Sequence, residues 1–133
     1  FLWLGYSISF ECIPELLIYW VLLFIFMVSF SLIFMIIGDF SQEIGKFLSV
    51  AFLILYLLSG IIYSIHMVPV QYREYLLWNP LIHIIELMRH AVAPNYELVS
   101  GINLTYFILW IIGTMFIGLV LYKRFERRMV KSK

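Results

Sequence analysis

The sequence predicts an all-α protein: a polytopic transmembrane helical bundle with three full spans and short interfacial or re-entrant helices before the last span. Hydrophobic residues make up 64% of the 133 residues and charged residues only 13%, against about 45–50% and about 25% in soluble globular domains. Aromatic residues reach 19%, and Trp and Tyr concentrate at membrane interfaces. This composition excludes an ordinary soluble domain.

The predicted spans are three long uncharged runs at residues 16–37, 47–65 and 104–122. A 22-residue run such as the first forms a helix about 33 Å long, which is enough to cross the hydrocarbon core. Residues 1–15 are expected to hold the end of an earlier transmembrane helix and then a polar bend. The chain is therefore interpreted as one membrane domain or a fragment of one.

Small residues predict where these helices bend or pack. Ser59 and Gly60 lie near the end of the second run and are expected to loosen or kink it. Thr114 and Gly118 in the third run have the small-xxx-small spacing that is typical of tightly packed membrane helices.

The basic residues predict the topology. Six of the nine Lys and Arg residues lie in the last eleven positions, and the positive-inside rule places this tail, residues 123–133, in the cytoplasm. Three crossings then put the connector 38–46 inside and the segment 66–102 outside. The net charge of +1 gives no indication of a nucleic-acid partner.

The external segment contains a distinctive stretch, residues 72–90. Asn79 is a good helix N-cap, and Pro80 suits the first helical position, where its missing N–H costs nothing. The following helix carries its polar side chains on one face and is too short to span a bilayer. It is predicted to lie at the membrane surface or to dip into it.

The chemistry that these residues can support is limited. No nucleophile–base pair or glycine-rich phosphate loop occurs, so the chain is not predicted to be an enzyme or to hydrolyse ATP by itself. His83, Glu86 and His90, with His66, could bind a metal ion, but pairing of Glu86 with Arg89 or His90 at helical spacing explains the pattern better. Neither a metal nor a cofactor is predicted.

Two further groups of residues each have two interpretations. Tyr72, Tyr75 and Trp78 could anchor the segment at the membrane interface or stack on a passing ligand, and the anchor is favoured. The charged residues of the 38–46 connector could be a solvated turn or a docking point for a motor subunit.

The order of these parts resembles the C-terminal half of an ABC-2 type transporter permease. Within that superfamily, the run YREYLLWNPLIHIIELMRHAVAPNYE at residues 72–97 is similar to the capsule polysaccharide export permeases. Those permeases carry a related Tyr-x-x-Leu-Leu-Trp-Asn-Pro-Leu-x-His-x-x-Glu-Leu-x-Arg run.

The resemblance implies a permease subunit of an ATP-driven exporter that moves capsular polysaccharide across the bacterial inner membrane. It implies six helices per permease, and a channel formed by two permease copies with two ATP-binding subunits. Membrane lipids and periplasmic and outer-membrane export components are further implied partners. The chain would hold the fourth to sixth helices, with 66–102 forming an external pair of short re-entrant helices.

The resemblance also implies residue roles. The candidates for the polysaccharide path are Tyr72, Arg73, Tyr75, Trp78 and His83. The residues expected to hold the re-entrant helix are Asn79, Pro80, Glu86 and Arg89. The candidates for coupling to the ATP-binding subunit are Asp39, Glu43 and Lys46, and Gly38 stands where many relatives carry an arginine. The alternatives are a permease for another cargo (O-antigen, teichoic acid, a lipid or a drug) and a non-transporting assembly subunit.

Overall fold

The computed structural model describes residues 10–131, in which every regular element is a helix and no strand occurs. The elements are a 3₁₀ helix at Phe10–Cys12, α1 at Ile13–Phe40, α2 at Gln42–Leu57, a second 3₁₀ helix at Ile65–Met67, α3 at Val70–Leu76, α4 at Pro80–Val92 and α5 at Leu104–Lys131. The all-α prediction is confirmed. The predicted remnant of an earlier helix falls largely in residues 1–9, outside the described residues.

Two helices of the described part are long and apolar enough to cross a membrane, Ile13–Asp39 and Leu104–Arg127. They correspond to the first and third predicted spans. Both run past the predicted ends: α1 continues through Gly38 to Phe40, and α5 continues through basic residues to Lys131.

The third full span, predicted at 47–65, is not confirmed. α2 ends at Leu57 after 16 residues, so it is about 24 Å long, less than the hydrocarbon thickness. The chain then passes through turns and bends, and Gly60 adopts a φ of 77°, a left-handed conformation that ends helices. The expected kink at Ser59 and Gly60 is thus a complete break.

The connector between the first two helices is a tight turn, because its polar residues also end α1 and begin α2. Only Ser41 separates the two helices, and its hydroxyl caps α2 by accepting a 3.3 Å hydrogen bond from the Glu43 amide. A Cβ atom on Gly45 would lie 3.7 Å from the Cα of Gly38. α1 and α2 therefore fold back against each other in ordinary contact at these two glycines.

The two long helices pack side by side and run in the same direction. Phe26 of α1 and Phe107 of α5 have ring centroids 5.3 Å apart. Further along both helices, a Cβ atom on Gly118 would lie 3.5 Å from the Ser29 carbonyl oxygen. Thr114 is buried on the same side of α5. Gly118 therefore serves as the close-packing position that the small-residue spacing predicts.

α4 packs against the first halves of both long helices. The core cluster that joins them contains Tyr19, Phe26, Leu81, Ile84, Ala91, Phe107 and Ile111. The apolar side of α4 thereby completes the core between α1 and α5.

Candidate functional site

α3 and α4 form a hairpin at residues 70–92, and its turn inserts between the longer helices. The Asn79 side-chain amide donates a 3.1 Å hydrogen bond to the Leu55 carbonyl near the end of α2. The turn also borders a cavity of about 260 Å³ that is lined by Phe26 and Phe30, which lie halfway along α1. The turn therefore reaches the level of the middle of the first span.

Asn79 and Pro80 begin α4 as predicted. The Asn79 side-chain oxygen accepts a 3.0 Å hydrogen bond from the Leu81 amide, while its nitrogen binds α2. Both residues are buried, so the cap also fixes the hairpin to the end of α2.

His83 lies inside the hairpin and uses both ring nitrogens. Its Nδ1 accepts a 3.0 Å hydrogen bond from the Asn103 amide, so its Nε2 carries the proton and donates to the Leu77 carbonyl at 2.7 Å. Only 3% of the residue is exposed, and burial lowers the pKa of its ring. His83 therefore joins the start of α5 to the hairpin as a neutral side chain.

Glu86 is the centre of a buried polar cluster. It is fully buried, and its Oε1 accepts hydrogen bonds from Arg89 Nη1 at 2.7 Å and from the Ile65 amide at 3.4 Å. Its Oε2 accepts a 2.5 Å hydrogen bond from the Tyr96 hydroxyl. The Ser64 hydroxyl donates to Tyr96 at 2.5 Å. The predicted Glu86–Arg89 ion pair is confirmed, whereas His90 instead binds the Tyr96 carbonyl.

Arg89 connects this cluster to the break after α2. Its guanidinium donates to the carbonyls of Tyr63 at 2.9 Å, of Ile61 at 3.3 Å and of Gly60. Carbonyls in a stretch without secondary structure need such donors, because few other partners are available near or within a membrane. We call Ser64, Glu86, Arg89 and Tyr96 the clasp, because they hold the end of α2 onto α4.

Sequence reasoning assigned no role to Ser64 or Tyr96 in this cluster. The two hydroxyls meet although they are 32 residues apart, and no local pattern signals that contact. Burial and the hydrogen bond to Glu86 raise the pKa of Tyr96, so its hydroxyl keeps its proton and remains a donor.

The candidate metal ligands do not converge. Within residues 10–131 no group of three His, Cys, Asp or Glu side chains is placed to hold an ion. The ring nitrogens of His66 and His90 bind the carbonyls of Glu97 and Tyr96, each at 2.7 Å.

The aromatic path candidates are exposed, and Tyr75 and Trp78 also line the cavity beside the hairpin turn. Tyr72, Tyr75 and Trp78 are 55%, 67% and 74% exposed, and the rings of Tyr75 and Trp78 meet edge to face at 6.2 Å. The Arg73 guanidinium instead binds the preceding loop, through the Val68 carbonyl at 2.8 Å and the His66 carbonyl at 3.0 Å. The structure thus brings two aromatic residues together and gives Arg73 a local structural contact.

The coupling candidates lie at the other end of the molecule. Asp39, Glu43 and Lys46 are exposed around the α1–α2 turn. Because α1 and α5 run in the same direction, the basic end of α5 lies toward this turn, and its exposed residues include Lys123 and Arg124. Charged groups therefore gather at the end opposite the polar clasp.

Comparison with known proteins agrees with this architecture. Residues 1–93 match the family model of the ABC-2 type transporter, and the chain belongs to that family. It is 42% identical over 118 residues to the polysialic acid transport protein KpsM of Escherichia coli, covering 89% of this chain and 45% of the relative.

Two further relatives are more distant. The O-antigen export system permease protein RfbA of Klebsiella pneumoniae is 29% identical over 74% of this chain and 39% of its own length. The capsule polysaccharide export inner-membrane protein BexB of Haemophilus influenzae is 27% identical over 84% of this chain and 42% of its own length. The chain spans less than half the length of each relative.

Proposed function

We propose that the chain is part of the permease subunit of an ATP-driven exporter that moves capsular polysaccharide across the bacterial inner membrane. The observation that carries this proposal is the 42% identity to a polysialic acid transport protein across 89% of the chain. Polysialic acid is a polyanionic glycan, so the cargo class that we propose is an acidic capsular polymer.

Charge and helix direction support the membrane topology that we propose. The exposed basic residues Lys123, Arg124 and Arg127 favour a cytoplasmic location for the end of α5. α1 and α5 then both enter from the outside, and the α3–α4 hairpin enters the membrane from the outer face. Its depth beside the middle of α1 supports a re-entrant pair of helices.

The proposed polymer path uses the exposed side of this hairpin. Tyr75 and Trp78 present adjacent aromatic surfaces, and aromatic rings can pack against the apolar faces of sugars. Tyr72 and Arg73 belong to the same outer surface, and Arg73 adds positive charge for an acidic polymer. His83 contributes indirectly, because it holds the hairpin against α5.

Transport requires partners that supply energy and complete the channel. We assign ATP hydrolysis to a separate ATP-binding subunit, as membership of the ABC-2 transporter family implies. Asp39, Glu43 and Lys46 are proposed to meet that subunit at the cytoplasmic end. A second permease copy, membrane lipids and periplasmic and outer-membrane export components complete the assembly that we propose.

Deletion of the full-length gene tests this function. We expect surface capsule to disappear while polysaccharide accumulates inside the cell, and the wild-type gene to restore export. A Trp78→Ala allele should restore export only in part, whereas Met67→Ala, which alters an equally exposed residue, should restore it fully. Unchanged surface capsule in the deletion strain would refute the proposed cargo.

O-antigen is the second candidate cargo, favoured by the similarity to RfbA. The same deletion strain distinguishes the two cargoes. Loss of the lipopolysaccharide O-antigen ladder with capsule intact would assign the chain to O-antigen export. A non-transporting assembly subunit would instead show normal ATPase activity of its partner after substitution of Asp39, Glu43 and Lys46.

A further inference from the structure

The break after α2 interrupts a sequence that is suited to helix. Residues 58–65 carry no charge and continue the apolar run that begins at residue 47. As one helix, the run 47–65 would be about 28 Å long, close to the thickness of the hydrocarbon core. α2 therefore ends at Leu57 through the local turn at Ser59 and Gly60 together with tertiary contact, rather than through a charge or a proline.

The contacts of the clasp compete directly with such a helix. A helix that continued to Ile65 would pair the Ile61 carbonyl with the Ile65 amide. In the structure that amide donates to Glu86, and Arg89 occupies the carbonyls of Ile61 and Gly60. An amide has one proton, so Ile65 cannot serve both partners.

We infer that residues 58–65 are a hinge with two conformations. In the broken conformation the clasp holds the hinge open, and Gly60 is left-handed. In the helical conformation α2 continues to Ile65, and Glu86 and Arg89 release the backbone. The buried Glu86–Arg89 pair thereby controls the length of α2.

Extension of α2 would also move the hairpin. Only residues 66–69 separate the hinge from α3, so added helical turns would shift Tyr72 and Tyr75 relative to α4. A role for that movement in polymer release rests on the proposed export function. The hinge itself does not depend on that function.

Hydrogen exchange measured by mass spectrometry distinguishes the two conformations. Among residues 10–131, the amides of 60–64 donate no backbone hydrogen bond, so they exchange rapidly when the hinge is broken and slowly when it is helical. The sample is the full-length permease with its ATP-binding subunit in lipid nanodiscs, and the probe is deuterium uptake of the peptide that covers 58–65.

Two independent variants should shift the hinge toward helix. Arg89→Gln removes the donors that hold the carbonyls, and Gly60→Ala penalises the left-handed conformation while favouring helix. For each variant we expect uptake at residues 60–64 to slow by about tenfold or more, since a population shift of that size converts a mostly open segment into a protected one.

Matched controls separate the hinge from general effects. Arg73→Gln removes another guanidinium that binds carbonyls, and Gly113→Ala adds a methyl group where nothing lies within 4 Å. Neither control should slow uptake at 60–64. Gly60→Ala keeps every clasp side chain, so it tests the hinge even if the arginine variant fails to fold.

Two results would overturn the inference: unchanged uptake at 60–64 in both hinge variants, or faster uptake there together with α4, as expected of a purely structural clasp. Slower uptake combined with normal capsule export in the deletion strain would keep the hinge and reject the exporter. Loss of capsule export in the deletion strain, together with unchanged deuterium uptake in both hinge variants, would keep the exporter and reject the hinge.

Discussion

Replacement of Glu86 by alanine should destabilise the protein more than removal of any exposed acidic residue. Glu86 is fully buried, whereas the side chain of Arg89 is 27% exposed. Breaking a buried ion pair by removing one partner costs about 3–5 kcal/mol. We expect the lower end, about 3 kcal/mol, because Arg89 keeps its backbone carbonyls and some access to solvent.

Thermal unfolding of the purified full-length permease measures this loss. A loss of about 3 kcal/mol lowers Tm by about 6–12 °C in a chain of 150–250 residues. Glu86→Gln keeps one acceptor oxygen without the charge. Because charge-assisted hydrogen bonds are about twice as strong as neutral ones, this variant should lose about half as much unfolding free energy as Glu86→Ala. Glu97→Ala is the matched control, because it removes an exposed carboxylate from the same segment.

A double-mutant cycle isolates the pair from the rest of the clasp. If Glu86 acts through Arg89, the double variant Glu86→Gln with Arg89→Gln should be more stable than the sum of the single losses predicts, by about 1–3 kcal/mol. A Tm for Glu86→Ala within 2 °C of the Glu97→Ala value, on the order of 1 kcal/mol or less, would refute the energetic importance of the clasp.

Three further predictions concern helix packing, capping and pH. Gly118→Ile should separate α1 from α5 and cost about 1–3 kcal/mol of unfolding free energy. Gly118→Ala adds only an ordinary contact, and Gly113→Ile extends into open space, so both should cost less. Equal losses of stability for the two isoleucine variants would contradict this packing. Asn79→Ala removes the α4 cap and the bond to α2 and should cost about 2 kcal/mol, whereas Asn79→Ser keeps a cap oxygen and should cost about half of that. An unfolding midpoint of Asn79→Ser equal to that of the wild type would exclude a contribution from the bond to α2. Burial lowers the pKa of His83 from 6.5, so the unfolded state binds more protons at acidic pH than the folded state does. His83 should therefore stabilise the fold above about pH 6.5 and progressively less as the pH falls. His83→Gln should weaken that acid sensitivity and the control His66→Gln, an exposed residue, should not; the same pH dependence of Tm in both variants would refute it.

The start of α4 and its ion pair could be predicted because their determinants are local. Asn79 and Pro80 specify a helix start through their own side chains and backbone. Glu86 and Arg89 are three residues apart and share a helix face, so helical geometry alone brings them together.

The second span could not be predicted correctly, because its end depends on distant residues. Hydropathy continues unchanged through residue 65, so Ser59 and Gly60 predict only a kink in the helix and not its end. The carbonyls that end it bind Arg89, 26 to 29 residues further along the chain. The connector is a tight polar turn in which Ser41 alone separates α1 from α2.

The amino-acid sequence by itself determined that this protein is helical, that it is built for a membrane, and which of its ends is basic, because hydropathy and charge act residue by residue. Only the tertiary structure decided where α2 stops, how deeply the hairpin inserts, and that His83 faces the interior rather than the outer surface. Each of these depends on a polar group that finds its partner far along the chain, such as Tyr96 on Glu86 or Asn103 on His83. In an apolar environment such partners decide the backbone conformation, since an unsatisfied amide or carbonyl costs several kcal/mol.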